Sequence, residues 1–237
     1  MRFSGKLIIV TGGTGGLGRA VSLAFLQEGA RVAVSYRDPA EFHTLKTAAG
    51  SNASSLLGEA VDVTDEAAVR QFVDGILASG GQIDALVNAV GGYAGGIKLW
   101  DVDPQTFEKM LALNLRSGYT LARVVIPVML KQKQGAVVNV SSQAAVNHAA
   151  GASAYAASKA AALAMMDSLA EDVRGTGVRV NTILPSIIDT DPNRQAMPKA
   201  DFAKWPKPEE IARVILFLCS DDARVIHGAA ITVYGES

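Results

Sequence analysis

Leu7-Ile-Ile-Val-Thr11-Gly-Gly-Thr-Gly-Gly-Leu-Gly18 is the stretch on which the fold turns. A short β-branched run, Leu7–Thr11, breaks into a glycine-rich turn, and helical spacing begins at Gly16. Glycines allow a backbone to approach a pyrophosphate closely, and a helix start offers unpaired N–H groups at the positive end of its dipole. The spacing is Thr-Gly-x-x-x-Gly-x-Gly rather than the more familiar Gly-x-Gly-x-x-Gly. Gly12, Thr14, Gly16, Leu17 and Gly18 are therefore candidate phosphate-side residues of a nucleotide site.

Outward from this turn, β-branched runs alternate with longer amphipathic stretches, the pattern of a parallel sheet covered by helices. Strands are expected at Leu7–Thr11, Arg31–Tyr36, Leu56–Val63, Ala85–Asn88, Ala136–Ser141, Arg179–Leu184 and Ala230–Tyr234. Helices are expected near 16–28, 39–48, 65–79, 104–131, 153–174 and 208–219. Asp65 and Asp103-Pro104 read as helix starts, and Gly29 and Gly80-Gly81 as helix stops. From Thr190 to Pro208 the chain carries Pro192, Pro198, Pro206 and Pro208 with little periodicity, which predicts a loop of functional length.

The 237 residues are 49% hydrophobic, enough for one α/β domain with a buried core, and no Pro/Gly/Ser-rich linker divides them. We expect a single domain over 1–237 with a substrate loop at about 189–208. The net charge of −1, with acids and bases mixed along the chain, argues against a nucleic-acid surface. No apolar run approaches the roughly 18 residues of a membrane span, and no signal peptide opens the chain, so a cytoplasmic protein is expected. The single cysteine, Cys219, lies in an apolar helical stretch and reads as a packed thiol. The histidines at 43, 148 and 227 match no metal-ligand spacing.

The segment Tyr155-Ala-Ala-Ser-Lys159 carries the chemistry. A helix brings residues four apart onto one face. An ammonium beside a phenol favours the phenolate and lowers the tyrosine pKa from about 10. Tyr155 is thus a candidate proton donor and acceptor. Ser142 follows the apolar run Gly135–Val140 and can offer a second hydrogen bond to an oxygen. Hydride arriving at a carbonyl leaves an alkoxide, whose charge needs an acid and a hydrogen-bond donor close by. A serine, a tyrosine and a lysine supply both without a metal.

Read together, Thr11-Gly12-x-x-x-Gly16-x-Gly18, Asp62-Val63, Asn88-Ala-Val-Gly91, Asn114, Ser142, Tyr155-x-x-x-Lys159 and Pro185-x-x-x-x-Thr190 resemble the short-chain dehydrogenase/reductase family over essentially the whole chain. The resemblance implies a Rossmann-type, doubly wound parallel sheet of seven strands with helices on both faces, and a nicotinamide cofactor. It implies that Tyr155 gives the proton, that Ser142 positions the carbonyl oxygen, and that Lys159 lowers the tyrosine pKa and holds the nicotinamide ribose. Asn114 would anchor a water relaying protons to Lys159. Asp62 and Val63 would meet the adenine, Asn88 and Gly91 would line the cofactor cleft, and Ile188 and Thr190 would meet the carboxamide. The family also pairs the helices near 104–131 and 153–174 between subunits, so a homodimer or homotetramer is expected.

The chain departs from the family pattern in places. Asn88-Ala-Val-Gly91 replaces Asn-Asn-Ala-Gly, and Ser186 stands where a glycine usually follows Pro185; a positive φ there would strain serine. Family members that prefer NAD carry an acid at the end of the second strand. Here that place holds Tyr36, followed by Arg37, which can pair with a 2′-phosphate. NADP(H) is therefore favoured, with NAD(H) possible, since Gly15 takes the place of a basic residue and Asp38 is near.

Two segments resemble the dihydropteridine reductases of the family. They are Gly91-Gly-Tyr-Ala-Gly-Gly96 and the loop containing Asp189-Thr-Asp-Pro-Asn-Arg194, Met197-Pro-Lys-Ala-Asp-Phe202 and Trp205. Tyr93 and Trp205 are candidates to stack on a flat substrate ring, with packing of the loop on the domain as the alternative. His148, between Ser142 and Tyr155, is a further candidate substrate residue or a loop-surface histidine. The expected substrate is a small carbonyl or alcohol, with a quinonoid dihydropterin or quinone, and a dinucleotide sensor without turnover, as the rivals.

Overall fold

The computed structural model describes residues 1–79 and 81–236. Seven strands, β1 (Leu7–Thr11), β2 (Arg31–Tyr36), β3 (Leu56–Ala60), β4 (Ile83–Asn88), β5 (Gly135–Val140), β6 (Val178–Pro185) and β7 (Ala230–Val233), form one sheet in the order 3-2-1-4-5-6-7. Every neighbouring pair is parallel. The order reverses between β1 and β4, so a crevice opens beyond the carboxyl ends of these two strands, where ligands bind in folds of this kind.

The helices are α1 (Gly16–Gln27), α2 (Pro39–Ala49), α3 (Glu66–Ala78), α4 (Pro104–Leu111), α5 (Ser117–Gln132), α6 (Ser153–Asp172), α7 (Asp191–Ala196) and α8 (Pro208–Cys219). All five side chains of β1 are buried, because helices cover both faces of the sheet. Ile8 and Val10 join Phe25 of α1, Leu45 of α2 and Ile211 and Ile215 of α8 on one face. Leu7 and Ile9 join Phe72 of α3, Leu121 and Met129 of α5 and Met166 of α6 on the other. Each such fully buried side chain contributes about 1.5–3 kcal/mol of transfer free energy. Cys219 is buried beside this first core, and burial pushes its thiol up to about 12, which leaves it inert.

Helix starts follow the expected chemistry. The Asp65 carboxylate accepts from Ala67 N at 2.8 Å, and that of Asp103 from Thr106 N at 2.8 Å. Gly29 takes φ +85° just past α1, as a stop requires. Of the Gly80-Gly81 stop, Gly80 lies outside the described residues.

Three elements differ from the sequence reading. The third strand ends at Ala60 rather than Val63, because the Asp62 carboxylate bends back to accept from Thr64 N at 2.9 Å and Thr64 Oγ1 at 2.7 Å. The helix expected over 104–131 is two helices joined by a wide π turn at Ala112–Arg116. The segment expected as loop from Thr190 contains α7 and a 3-10 turn at Phe202–Lys204. Pro192 sits in the first turn of α7, where its missing N–H costs nothing. Ser186 is unstrained, since Lys133 is the only non-glycine among the described residues with positive φ.

Candidate active site

The glycine turn after β1 is shaped by contacts that exclude larger residues. A Cβ on Gly18 would lie 2.0 Å from Gly12 O, one on Gly13 2.5 Å from Val34 Cγ1, and one on Gly16 2.9 Å from Thr190 Cγ2. The last contact seats Thr190, from the segment after β6, directly on the turn. Gly12 adopts φ +66°, and its N–H donates to Ser35 Oγ at 3.2 Å. Helix α1 begins with Gly15 as N-cap, with no side chain capping its free N–H groups and no acid in its first turn. Those donors fit a pyrophosphate.

On the adenosine side, Arg37 follows β2 and is exposed, with no hydrogen bond or ion pair among the described residues. Asp38 accepts from Ala40 N at 2.8 Å and so caps α2. Tyr36 stacks on Phe42, with ring centroids 4.7 Å apart. The hydrogen bonds from Thr64 hold the Asp62 carboxyl below its ordinary pKa, and the charge of Arg37 adds to this. The Val63 side chain packs in the sheet core, so only its main chain can meet an adenine.

Beyond β4, polar side chains knit three strands together. Thr11 Oγ1 donates to Asn88 Oδ1 at 2.9 Å, and Asn88 Nδ2 donates to Asn139 Oδ1 at 3.0 Å. Val90 N also donates to Asn88 Oδ1, at 3.3 Å, which shows how the single asparagine of this segment orders its own turn. Asn114 sits in the π turn, which widens the helix there. Its amide brackets Gly92, accepting from N at 2.9 Å and donating to O at 3.0 Å, and it also donates to Ser158 Oγ at 2.9 Å. A Cβ on Gly91 would lie 3.0 Å from both Asn114 Oδ1 and Lys159 Nζ, so a glycine is needed for these two groups to approach.

Helix α6 carries Tyr155 and Lys159. Lys159 is 5% exposed, and its Nζ donates to Val140 O at 3.1 Å while lying 6.0 Å from the centre of the Tyr155 ring. Burial pushes its amine down to about 8. Ser141 Oγ donates to Lys159 O at 3.1 Å, which fixes the helix against the end of β5. Ser142, extended at φ −166°, accepts from Ala144 N at 3.1 Å. The tyrosine corrects one expectation: burial raises its pKa, Tyr93 adds to the rise, and a hydrogen bond with Ser142 works against both. The lysine holds a backbone carbonyl instead of the phenol, so desolvation dominates.

The expected substrate residues divide. Tyr93 is 70% exposed and packs edge-on against Tyr155, with centroids 5.0 Å apart, so it borders the Tyr155 ring. His148 is exposed on the turn between β5 and α6. Trp205 is a correction: it is 6% exposed and packs on Phe202 at 5.0 Å, which leaves it no face for a substrate ring. Its role is to anchor the loop. Ile188 is half-buried, and its carbonyl accepts from Asn193 Nδ2 at 2.8 Å and from Thr190 N at 2.8 Å.

Sequence reasoning passed over Ser158, Ser141 and Asn139. Ser158 lies inside the Tyr155–Lys159 segment, and its Oγ also donates to Tyr155 O at 2.7 Å; its place one residue before the lysine was the available signal. Asn139, an amide inside an apolar strand, was likewise visible as an oddity. Among the described residues no group of three His, Cys, Asp or Glu side chains is placed to hold a metal, and no helix is long and apolar enough to cross a membrane.

The geometry has matches among known proteins. The chain is 31% identical to a 3-oxoacyl-(acyl-carrier-protein) reductase, FabG, of Thermotoga maritima, over 99% of this chain and 98% of that one. It is 34% identical to a D-threitol dehydrogenase of Mycolicibacterium smegmatis, over 99% and 93%. The crystal structure of a levodione reductase superposes with a TM-score of 0.91 at 27% identity, over 99% of this chain and 98% of that one. The model of the short chain dehydrogenase family matches residues 6–201. With this match and the seven-stranded parallel sheet, the chain belongs to the short-chain dehydrogenase/reductase family, whose members are oxidoreductases.

Proposed function

We propose that the chain is a cytoplasmic, NADP(H)-preferring reductase of small carbonyl compounds, reversible toward the alcohol. The observation that carries the reading is the convergence of Ser142, Tyr155 and Lys159 at the ends of β5 and α6, beside a glycine turn with an uncapped helix start. When bound, the nicotinamide supplies or accepts the hydride. The residues of this chain do the rest.

Ser142 and the Tyr155 hydroxyl hold the carbonyl oxygen, and Tyr155 gives its proton to that oxygen as charge develops there. Its raised pKa keeps the phenol protonated and ready to donate. Lys159, its charge buried nearby, favours the phenolate left behind. Asn114 holds Gly92 and Ser158 in place and so fixes the floor of the cleft. Gly12, Thr14, Gly16, Leu17 and Gly18 take the pyrophosphate side, Arg37 the 2′-phosphate, Asp62 and the Val63 main chain the adenine, and Ile188 and Thr190 the carboxamide.

The relatives reduce an oxoacyl thioester or oxidise a polyol in name, which favours an aliphatic or cyclic ketone/alcohol pair. A second reading, reduction of a quinonoid dihydropterin, has the exposed Tyr93 ring beside Tyr155 in its support. A homodimer or homotetramer is supported by Phe107 and Tyr119, large apolar groups left exposed on α4 and α5. The test is oxidation of NADPH and of NADH with ketones, 3-oxoacyl thioesters and quinonoid dihydropterin. Turnover of carbonyls supports the first reading, turnover of the pterin alone supports the second, and tight cofactor binding without turnover leaves a sensor.

A further inference from the structure

Beyond the carboxyl ends of β1 and β2, a carboxylate stands against the glycine turn. Glu41 lies in the first turn of α2, three residues after the capping Asp38. Its Oε2 accepts from Thr14 Oγ1 at 2.8 Å, so a carboxylate bridges the exposed apex of the glycine turn and the segment following β2. Asp38 is occupied with Ala40 N and Asp62 with Thr64. Glu41 is therefore the acid tied to the glycine turn itself, while Arg37, which follows β2, lends its charge to Asp62 and makes no hydrogen bond or ion pair among the described residues.

In sheets of this topology the adenosine ribose rests between the first and second strands. A 2′-phosphate placed there brings close to two negative charges. Arg37 attracts them, and the tethered Glu41 repels them. A 2′-hydroxyl, by contrast, is a donor that a carboxylate accepts well.

We propose that Glu41, held by Thr14, is a specificity-determining residue that limits the preference for NADP(H): Arg37 sets the sign of the discrimination and Glu41 its size. The proposal rests on the dinucleotide reading of the crevice, and it places a discriminating acid on α2, outside the end of β2.

The test is calorimetric titration with 2′,5′-ADP and with 5′-ADP, which needs no turnover and no nicotinamide. Glu41→Gln keeps the hydrogen bond from Thr14 and removes only the charge. It should tighten 2′,5′-ADP about tenfold, the size expected for one charge against a dianion a few ångström away in a water-like dielectric. Binding of 5′-ADP should stay within about twofold or weaken. The gain should shrink in high salt, as an exposed charge requires. Thr14→Val, which frees the carboxylate, should move the ratio the same way by a smaller factor. If both nucleotides bind and Glu41→Gln leaves their ratio unchanged, Glu41 has no such role. If neither binds the parent chain, the dinucleotide reading fails and this proposal with it.

Discussion

Replacing Lys159 by methionine should leave stability near neutral pH level with the parent or slightly above it, make that difference fall as pH rises, and remove activity. Lys159 is 5% exposed, and burial pushes its amine from the ordinary 10.5 down to about 8. That gap corresponds to about 3 kcal/mol of disfavoured charge. Below pH 8 both folded and unfolded chains carry the proton, and the whole penalty is present. Between pH 8 and 10.5 the unfolded chain keeps the proton and the folded chain loses it, so stability rises with pH. Above 10.5 the penalty is gone.

Methionine does not titrate and fills an irregular slot easily. It also forfeits the hydrogen bond from Nζ to Val140 O, a loss of about 1.5–3 kcal/mol for a charged donor. The net effect at pH 7 is therefore a small gain or near balance, but the pH dependence is free of the packing offset. The advantage of Lys159→Met over the parent should fall by about 2–3 kcal/mol between pH 7 and pH 10. For a chain of this size that is a relative change in Tm of about 4–12 °C. Urea or thermal melts of both proteins at each half pH step measure it. A difference that stays constant across that range would refute a buried, charge-penalised lysine, and undiminished turnover in the variant would refute its part in the reaction.

Other outcomes are as definite. Tyr155→Phe should lower turnover about a hundredfold or more while cofactor affinity, read by fluorescence of the bound nicotinamide, stays nearly intact; a variant keeping a tenth of the activity would remove Tyr155 as the acid. Gly18→Ala, whose Cβ would meet Gly12 O at 2.0 Å, should cost about 1–3 kcal/mol of stability and most cofactor affinity. Unchanged affinity would mean that the turn is not the phosphate site. Asn114→Ala leaves Gly92 N and O without partners and should destabilise by about 2–4 kcal/mol; denaturant midpoints measure this, and a loss under 1 kcal/mol would count against the bracket. Sedimentation should give a dimer or tetramer, and a monomer at micromolar concentration would rule out the subunit contact expected of α4 and α5.

The central strands were legible because burial on both faces writes them as unbroken apolar runs, as in Leu7–Thr11 and Gly135–Val140. Edge strand β3 was overrun by three residues, since Asp62 ends it through a side-chain turn that hydrophobic patterning does not register. The wide turn at Ala112–Arg116 was hidden because four of its five residues, Ala112, Leu113, Leu115 and Arg116, are strong helix formers and no glycine or proline marks it. In the site, the sequence placed the glycine turn before a helix and set Tyr155 and Lys159 four apart on one helix, and the structure has both placements because they depend on spacing alone. The fate of the lysine amine could not be read, because it depends on a carbonyl at Val140, nineteen positions away in the chain. For Trp205 the sequence left stacking on a substrate and packing of the loop open, and its burial against Phe202 favours the packing.

The π turn around Asn114 makes residue number, as well as residue identity, part of the site. One extra residue in a helical turn shifts everything downstream by about 100° around the axis. The wide turn at Ala112–Arg116 absorbs that shift, so removing a single residue there would let an even helix form with Leu121, Val125 and Met129 still facing the core, while Asn114 would lose its place against Gly92. A deletion there should strike the Asn114 bracket more than the fold, whereas the same deletion inside α5 would rotate its buried face out of the core.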